Sequence, residues 1–481
     1  MLVKRGYMEK YLQFFYDIAA IPHGSKNSKG ISDYLVCFAN ERGLEVIKDK
    51  HNNVIIYKNA YEGFEDREPI ILQGHTDMVA VKTPECTKDM LTEGLDIVIE
   101  DNVLSAVGTS LGADDGIAVA YMLSILDSDV KAPALICIFT SDEEIGLLGA
   151  ALMDASMLPA KRMINLDQEE EGIFVVSCAG GIRVNADIPV NKEIYNGNVY
   201  TLSVTGLKGG HSGMDIDKNR GNAITIIGQE LCKLHERIGF KMVEINGGIA
   251  DNAIPSSVTA RIMLEGVFDN PLFEKEILKL NGMDMYFGDT ANYDSCVITV
   301  KKENVDSMIA LDDESTGRVL KFLNELPYGI MAMSEADPNM VETSLNPGII
   351  ESKEESIHVA VSIRSSIDIE KKNQVMKLCK LISAYKGSYE LTGDYPGWAY
   401  NENSDLLKSM VNIYCDMYGN EPKVLGIHAG LECGLFSQKI PGLDCISIGP
   451  DIMDVHSVNE RLPLDSANRC YEYLIKCLEL V

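Results

Sequence analysis

Residues 70–78 read Ile70-Ile71-Leu72-Gln73-Gly74-His75-Thr76-Asp77-Met78. An apolar run of strand type stops at a glycine, and a histidine and an aspartate follow, two positions apart. Positions i and i+2 of a strand face the same side. A carboxylate beside an imidazole is a common way to set a metal-binding tautomer and raise its basicity. Alone the pair is a weak signal, and its weight comes from the surrounding pattern. Gly116 to Leu126 is apolar on nearly every side, as a buried helix is. Ala134 to Thr140 and Arg162 to Leu166 read as strands, and the stretch after Asp142 reads as the start of a helix. This βαβ rhythm predicts an α/β fold built on a sandwiched, mostly parallel sheet.

Upstream, residues 8–20 and 27–42 read as amphipathic helices, and 44–58 as a hairpin with Asn52-Asn53 near its turn. The rhythm changes near residue 185. Tyr200 to Val204 is a strand, Asn222 to Leu234 a helix, and Lys241 to Ile245 with Ser257 to Leu264 a hairpin. A similar order of strand, helix and strand returns over 285–390. The reading is an inserted α+β domain at 186–392, in two related halves, between a first part (1–185) and a second part (393–481) of the outer domain. That second part carries helices at 403–418 and 465–480 and strands near 423–427 and 444–448.

The chain has 481 residues, 46% of them hydrophobic, enough for a large core. Its net charge of −29 argues against nucleic acid and anionic membranes as partners. No apolar run approaches the ~18 residues of a membrane span, and the first residues lack the apolar core of a secretory signal. Twelve cysteines form no CxxC pair. Many sit in apolar segments, such as Cys137 and Cys445, the pattern of buried free thiols, so a cytoplasmic location is expected.

Four further sites join His75. Gly112-Ala113-Asp114-Asp115-Gly116 lies in the turn before the buried helix, and Ser141-Asp142-Glu143-Glu144 follows a strand. Asn165-Leu166-Asp167 ends a strand, and Gly449-Pro450-Asp451 to Val455-His456-Ser457 follows the last one. Each has a plain structural alternative: a core histidine, a turn with a helix cap, acids at a helix start, a solvated loop. Their joint placement speaks for more, because ligands of open α/β sheets gather at the carboxyl ends of strands. Two histidines and several carboxylates without cysteine suit zinc, manganese or cobalt. A shared carboxylate suits an ion pair ~3.5–4 Å apart, which acidifies a bridging water and polarises a carbonyl. Glu143 and Glu144 offer a ligand and a general base side by side.

Gln73-Gly74-His75-Thr76-Asp77-Met78, Gly112-Ala113-Asp114-Asp115-Gly116, Asp142-Glu143-Glu144-Ile145-Gly146 and Gly209-Gly210-His211-Ser212-Gly213 resemble the aminoacylase/carboxypeptidase clan of co-catalytic zinc peptidases. Asn252-Ala253-Ile254-Pro255, Ile363-Arg364-Ser365, Tyr395-Pro396-Gly397-Trp398, the 428–434 stretch His428-Ala429-Gly430-Leu431-Glu432-Cys433-Gly434 and His456-Ser457-Val458-Asn459-Glu460-Arg461 narrow the likeness. Together they resemble the aminoacyl-histidine dipeptidases (the peptidase D or cytosol non-specific dipeptidase family), from about residue 10 to the C-terminus. The resemblance makes the outer domain catalytic and the insert a lid. It implies that His75 and Asp167 bind one metal, Glu144 and His456 the other, and that Asp114 bridges them. The choice of Asp114 over Asp115, and of Glu143 over Glu144 as base, rests on the family pattern alone. Asp77 would orient His75, and Glu143 would be the general base. His211, from the lid, would stabilise the oxyanion, within one chain or across a homodimer formed through the lid. Asn252 and Arg364 would hold the substrate carboxylate, with His428 and Glu432 near the substrate. His23 and Glu169 are taken as structural. The implied reaction is two-metal hydrolysis of free dipeptides, Xaa-His such as β-alanyl-histidine among them. The alternatives are an N-acyl-amino-acid amidohydrolase, a carboxypeptidase-like tripeptidase and an inactive, metal-stabilised binding protein. The 213–220 stretch is more charged than such relatives lead one to expect.

Overall fold

The structure, a computed structural model, describes residues 2–265, 271–288, 293–303 and 307–481. Residues 289–292 and 304–306, within the expected 285–390 repeat, lie outside the described residues. The chain divides into two compact units. One comprises the chain up to Cys178, Trp398–Gly426 and Leu431–Val481; the other comprises Ala179–Gly397 and Ile427–Gly430.

The first unit is built on an eight-stranded sheet. Its centre is parallel: Leu135–Thr140, Ile70–His75, Arg162–Asn165 and Asp444–Ser447 lie side by side in that order. The hairpin strands Glu45–Lys48 and Val54–Lys58 extend one edge antiparallel. Ile173–Cys178 and Lys423–Ile427 extend the other. Ile70–His75 and Leu135–Thr140 are buried along their whole length, as central strands covered on both faces must be. The helix Ala113–Leu126 is buried at every position, in keeping with its apolar sequence. Tyr121 on this helix stacks with Tyr11 and Tyr471 at ring distances of 5.0 to 5.2 Å. The Tyr121 hydroxyl donates to the Ala467 carbonyl, so the ring cluster is polar-satisfied.

One expectation is corrected. No helix starts at Asp142; the next one is the short Leu148–Leu152. Asp142, Gly146 and Leu147 have φ of 54°, 109° and 61°, a left-handed backbone that cannot join a right-handed helix. The segment is a tight turn, and it carries Glu143 and Glu144.

The second unit holds an eleven-stranded sheet with helices Ala223–Ile238, Asp313–Glu325 and Asp368–Ala384 packed against one large core. Asn222 caps the first of these, accepting from the Ile224 and Thr225 N–H groups. At one side of the sheet, Val341–Ser352, Ser356–Ser365, Gly180–Pro189 and Ser388–Tyr395 run antiparallel in succession. None of the twelve cysteines is in a disulfide. Among the described residues no helix is long and apolar enough to cross a membrane.

Candidate active site

In the first unit the parallel strands deliver their ends to one place. His75 ends its strand, and Asp167 lies two residues beyond Arg162–Asn165. The His75 backbone N–H donates to Asp115 Oδ2 at 3.2 Å. Gly74 makes room for this, since a Cβ there would lie 2.5 Å from that same oxygen. The His75 Nδ1 donates to the Asp77 carbonyl at 2.9 Å, leaving Nε2 as the free lone pair. Nε2 lies 3.0 Å from Asp114 Oδ1 and 3.4 Å from Asp167 Oδ1. The other Asp114 oxygen is 3.0 Å from His456 Nε2, which is also 3.0 Å from Glu144 Oε2. Asp114 thus faces two separate ligand groups with its two oxygens.

The Asp77 carboxylate is 3.6 Å from His75 Nδ1. It accepts from Ser25 Oγ and from the Glu143 and Glu144 N–H groups, so it holds the turn that carries those two residues. His75, Asp114 and Asp167, and likewise Asp114, Glu144 and His456, gather ligand atoms within 4.8 Å, as does a third set of His75, Glu143 and Glu144. One Glu144 oxygen is buried with no hydrogen-bond partner. An all-nitrogen-and-oxygen donor set with such an orphaned carboxylate oxygen fits divalent ions of the zinc, manganese or cobalt type.

Electrostatics agree with that fit. Burial, reinforced by neighbouring charge, pushes the Asp167 carboxyl up to about 7 and Glu143 well above the usual range. Burial alone would lower His75, but Asp167 and Asp114 carry it well above its usual value. Hydrogen bonds to Asp114 and Glu144 push His456 up to about 11. The carboxylate shifts mark crowded anions that a cation would relieve, and the histidine shifts mark the negative field those anions create. Burial also raises Glu169 to about 7, close to the Asp114 and Glu144 charges. His23 is buried and held down by desolvation. Glu432, with no exposed surface, accepts from Gln73 Nε2 at 2.5 Å and Thr140 Oγ1 at 2.6 Å. Gln73 in turn accepts from Asn165. This chain of bonds braces three strand ends beneath the ligands.

Glu460 escaped the sequence reading. Its buried carboxylate accepts from the backbone N–H groups of Leu111, Gly112, Ala113 and Asp114 at 2.8 to 3.3 Å. It ties the His456 loop to the Asp114 turn. Its place four residues after His456 was the one local hint.

In the second unit His211 accepts at Nδ1 from the Gly213 and Met214 N–H groups, so Nε2 carries the proton. Burial and the Arg364 charge hold its pKa down, keeping the ring neutral. The charged 213–220 stretch braces this loop: Asp215 accepts from the His211 N–H and pairs with Lys218 and Arg220. Arg364 is 7% exposed, donates to Tyr395 Oη at 2.9 Å, and lies 3.4 Å from His211 Nε2. His428 joins the cluster through Ser344 Oγ, 2.8 Å from its Nε2, and gives its Nδ1–H to the Val341 carbonyl. Asn252 is exposed, and its carbonyl accepts from the Ser212 N–H.

Fold and site together define a metallopeptidase, and the chain belongs to the peptidase family M20/M25/M40, whose model matches residues 71–480. It is 33% identical over 473 residues to the cytosol non-specific dipeptidase of Escherichia coli (strain K12), covering 97% of this chain and 96% of that one. It is also similar to the crystal structure of aminoacylhistidine dipeptidase from Vibrio alginolyticus, with a TM-score of 0.89 and 32% identity over 98% of this chain and 96% of that one. The aminopeptidase PepT of Bacillus cereus shares the fold, with a TM-score of 0.57 and 16% identity over 98% of each chain.

Proposed function

We propose that this peptidase hydrolyses dipeptides with free amino and carboxyl ends in the cytoplasm, using two divalent ions. The observation that carries the reading is Arg364. A guanidinium this buried normally pairs with a carboxylate, because an uncompensated buried charge is expensive. Among the described residues Arg364 has no salt-bridge partner, and its Nε is buried without an acceptor. A substrate carboxylate would complete it, matched to the guanidinium fork. Recognition of a free carboxyl end in this way favours short substrates.

His75 and Asp167 would hold one ion, Glu144 and His456 the other, with Asp114 between them. When bound, such ions supply Lewis-acid polarisation of the peptide carbonyl and acidification of water. Glu143 takes the proton of the attacking water and returns it to the leaving amine, as a general base and then acid. The neutral His211 donates from Nε2 to the oxyanion that forms on the carbonyl. Asn252 assists at the carboxylate. Aminoacyl-histidine dipeptides head the substrate list because of the likeness to the Vibrio alginolyticus enzyme.

The test is hydrolysis of β-Ala-His, Gly-Gly, a tripeptide and an N-acetylated amino acid by chelated protein, with and without added Zn²⁺ or Mn²⁺. Metal-restored cleavage of the free dipeptides alone is expected. Turnover of only the acetylated compound would make the protein an aminoacylase-type hydrolase. Turnover of only the tripeptide would make it a tripeptidase, and no metal-dependent turnover would leave a binding protein.

A further inference from the structure

One cross-strand row of the second unit's sheet runs Ser344, Arg364, Gly181, Tyr395. Residues directly opposite in such a row share a face. The position between Arg364 and Tyr395 therefore decides whether the two can meet, and it is a glycine. A Cβ on Gly181 would lie 2.5 Å from the Tyr395 hydroxyl. Without one, the phenol lies over the Gly181 backbone and its oxygen comes within 2.9 Å of Arg364 Nη1. On another side of the ring stands Gly430, where a Cβ would approach Cε2 to 2.8 Å.

The backbone is set for this as well. The pairing of Ser388–Tyr395 with Gly180–Pro189 slips between Thr392 and Tyr395, an irregularity of the kind that re-aims a side chain. Lys371, 3% exposed, donates to the Tyr395 carbonyl and pairs with Asp394 at 2.8 Å. Arginine can only donate, so the phenol oxygen is the acceptor in its bond to Arg364. The phenol's own hydrogen remains to be given, and among the described residues no hydrogen bond takes it.

We propose that Tyr395 is a substrate-binding residue that donates its phenolic hydrogen to the C-terminal carboxylate held by Arg364. This rests on the dipeptidase reading and deepens it. Arg364 supplies charge and Tyr395 a second donor beside it, so the pair reads a carboxylate and penalises an amide in its place.

The experiment compares the wild type with Tyr395→Phe, both loaded with Mn²⁺, on β-Ala-His and on its C-terminal amide. The expected result is a loss in kcat/KM on the free acid about tenfold larger than on the amide, carried mainly by KM. Gly181→Ala, which presses on the hydroxyl, is expected to give the same selective loss and serves if the Phe variant does not fold. Equal losses on acid and amide, or no loss on either, would overturn the assignment while leaving the dipeptidase reading intact. If the wild type itself treats acid and amide alike, the carboxylate role of Arg364 fails and the Tyr395 assignment falls with it.

Discussion

At the residue scale the site is a set of side chains whose protonation is settled by neighbours far away in sequence. Glu143 sits in a turn held by Asp77 and is assigned no ion in the two-ion arrangement. Glu143→Ala is therefore expected to retain both ions, by elemental analysis, while turnover falls by about 10²- to 10⁴-fold, the usual worth of a general base. Turnover near the wild-type rate would show that another group takes the proton. His428 gives a pH prediction. Burial, then the Arg364 charge, press its pKa down to about 3 from the ordinary 6.5. Between those values the unfolded chain binds the extra proton, so this contribution is complete above about pH 6.5 and is lost as pH falls toward 3. Denaturation midpoints measured across that window are expected to fall less steeply for His428→Gln than for the wild type. Parallel curves would mean that His428 is not held neutral by the fold. His75, Asp114, Glu144, Asp167 and His456 were legible as candidates because strand ends and turns announce themselves locally. Tyr395 was legible only as part of a motif, since its bond to Arg364 depends on a glycine in a third strand.

At the element scale, turns matter more than helices or strands. The Asp142–Leu147 turn was misread as a helix start because its acids resemble those of a helix N-terminus. What overrides that preference is tertiary: the Asp142 carboxylate accepts from the Lys26 N–H and Ser28 Oγ, and Asp77 takes the next two N–H groups. The Asp114 turn is held in a comparable way by Glu460, which satisfies N–H groups that would otherwise be stranded in a buried loop. Glu460→Ala is expected to weaken metal binding by about 10- to 100-fold, as losing a group that positions ligands typically does. Competition with a chromogenic chelator would measure it, and unchanged affinity would show that the turn holds itself. Beyond its nearness to His456, nothing local points to this contact, because Leu111 and Glu460 are 349 residues apart.

At the scale of the whole molecule, the first unit gathers Asp114, Asp115, Glu143, Glu144 and Asp167 into little space, a repulsive arrangement unless cations or protons occupy it. Ions that bind only the folded state add about 4 kcal/mol at a thousandfold excess over their dissociation constant. Chelation is expected to lower the melting temperature by several degrees, with recovery on adding Zn²⁺ or Mn²⁺ and a shift that depends on ion concentration; an unmoved melting curve would exclude tight binding at these groups. The same scale separates what was readable from what was not. The sequence by itself determined the alternation of buried strand and helix and the acids and histidines at strand ends, because periodicity and turn chemistry act over a few neighbouring residues. Only the tertiary structure decided that Asp114 turns one oxygen to His75 and the other to His456, that Glu460 closes the turn beneath them, and that Gly181 opens the way from Tyr395 to Arg364. Those contacts join residues far apart in the chain, and they exist because the sheet's register brings their backbones together, which no local preference specifies.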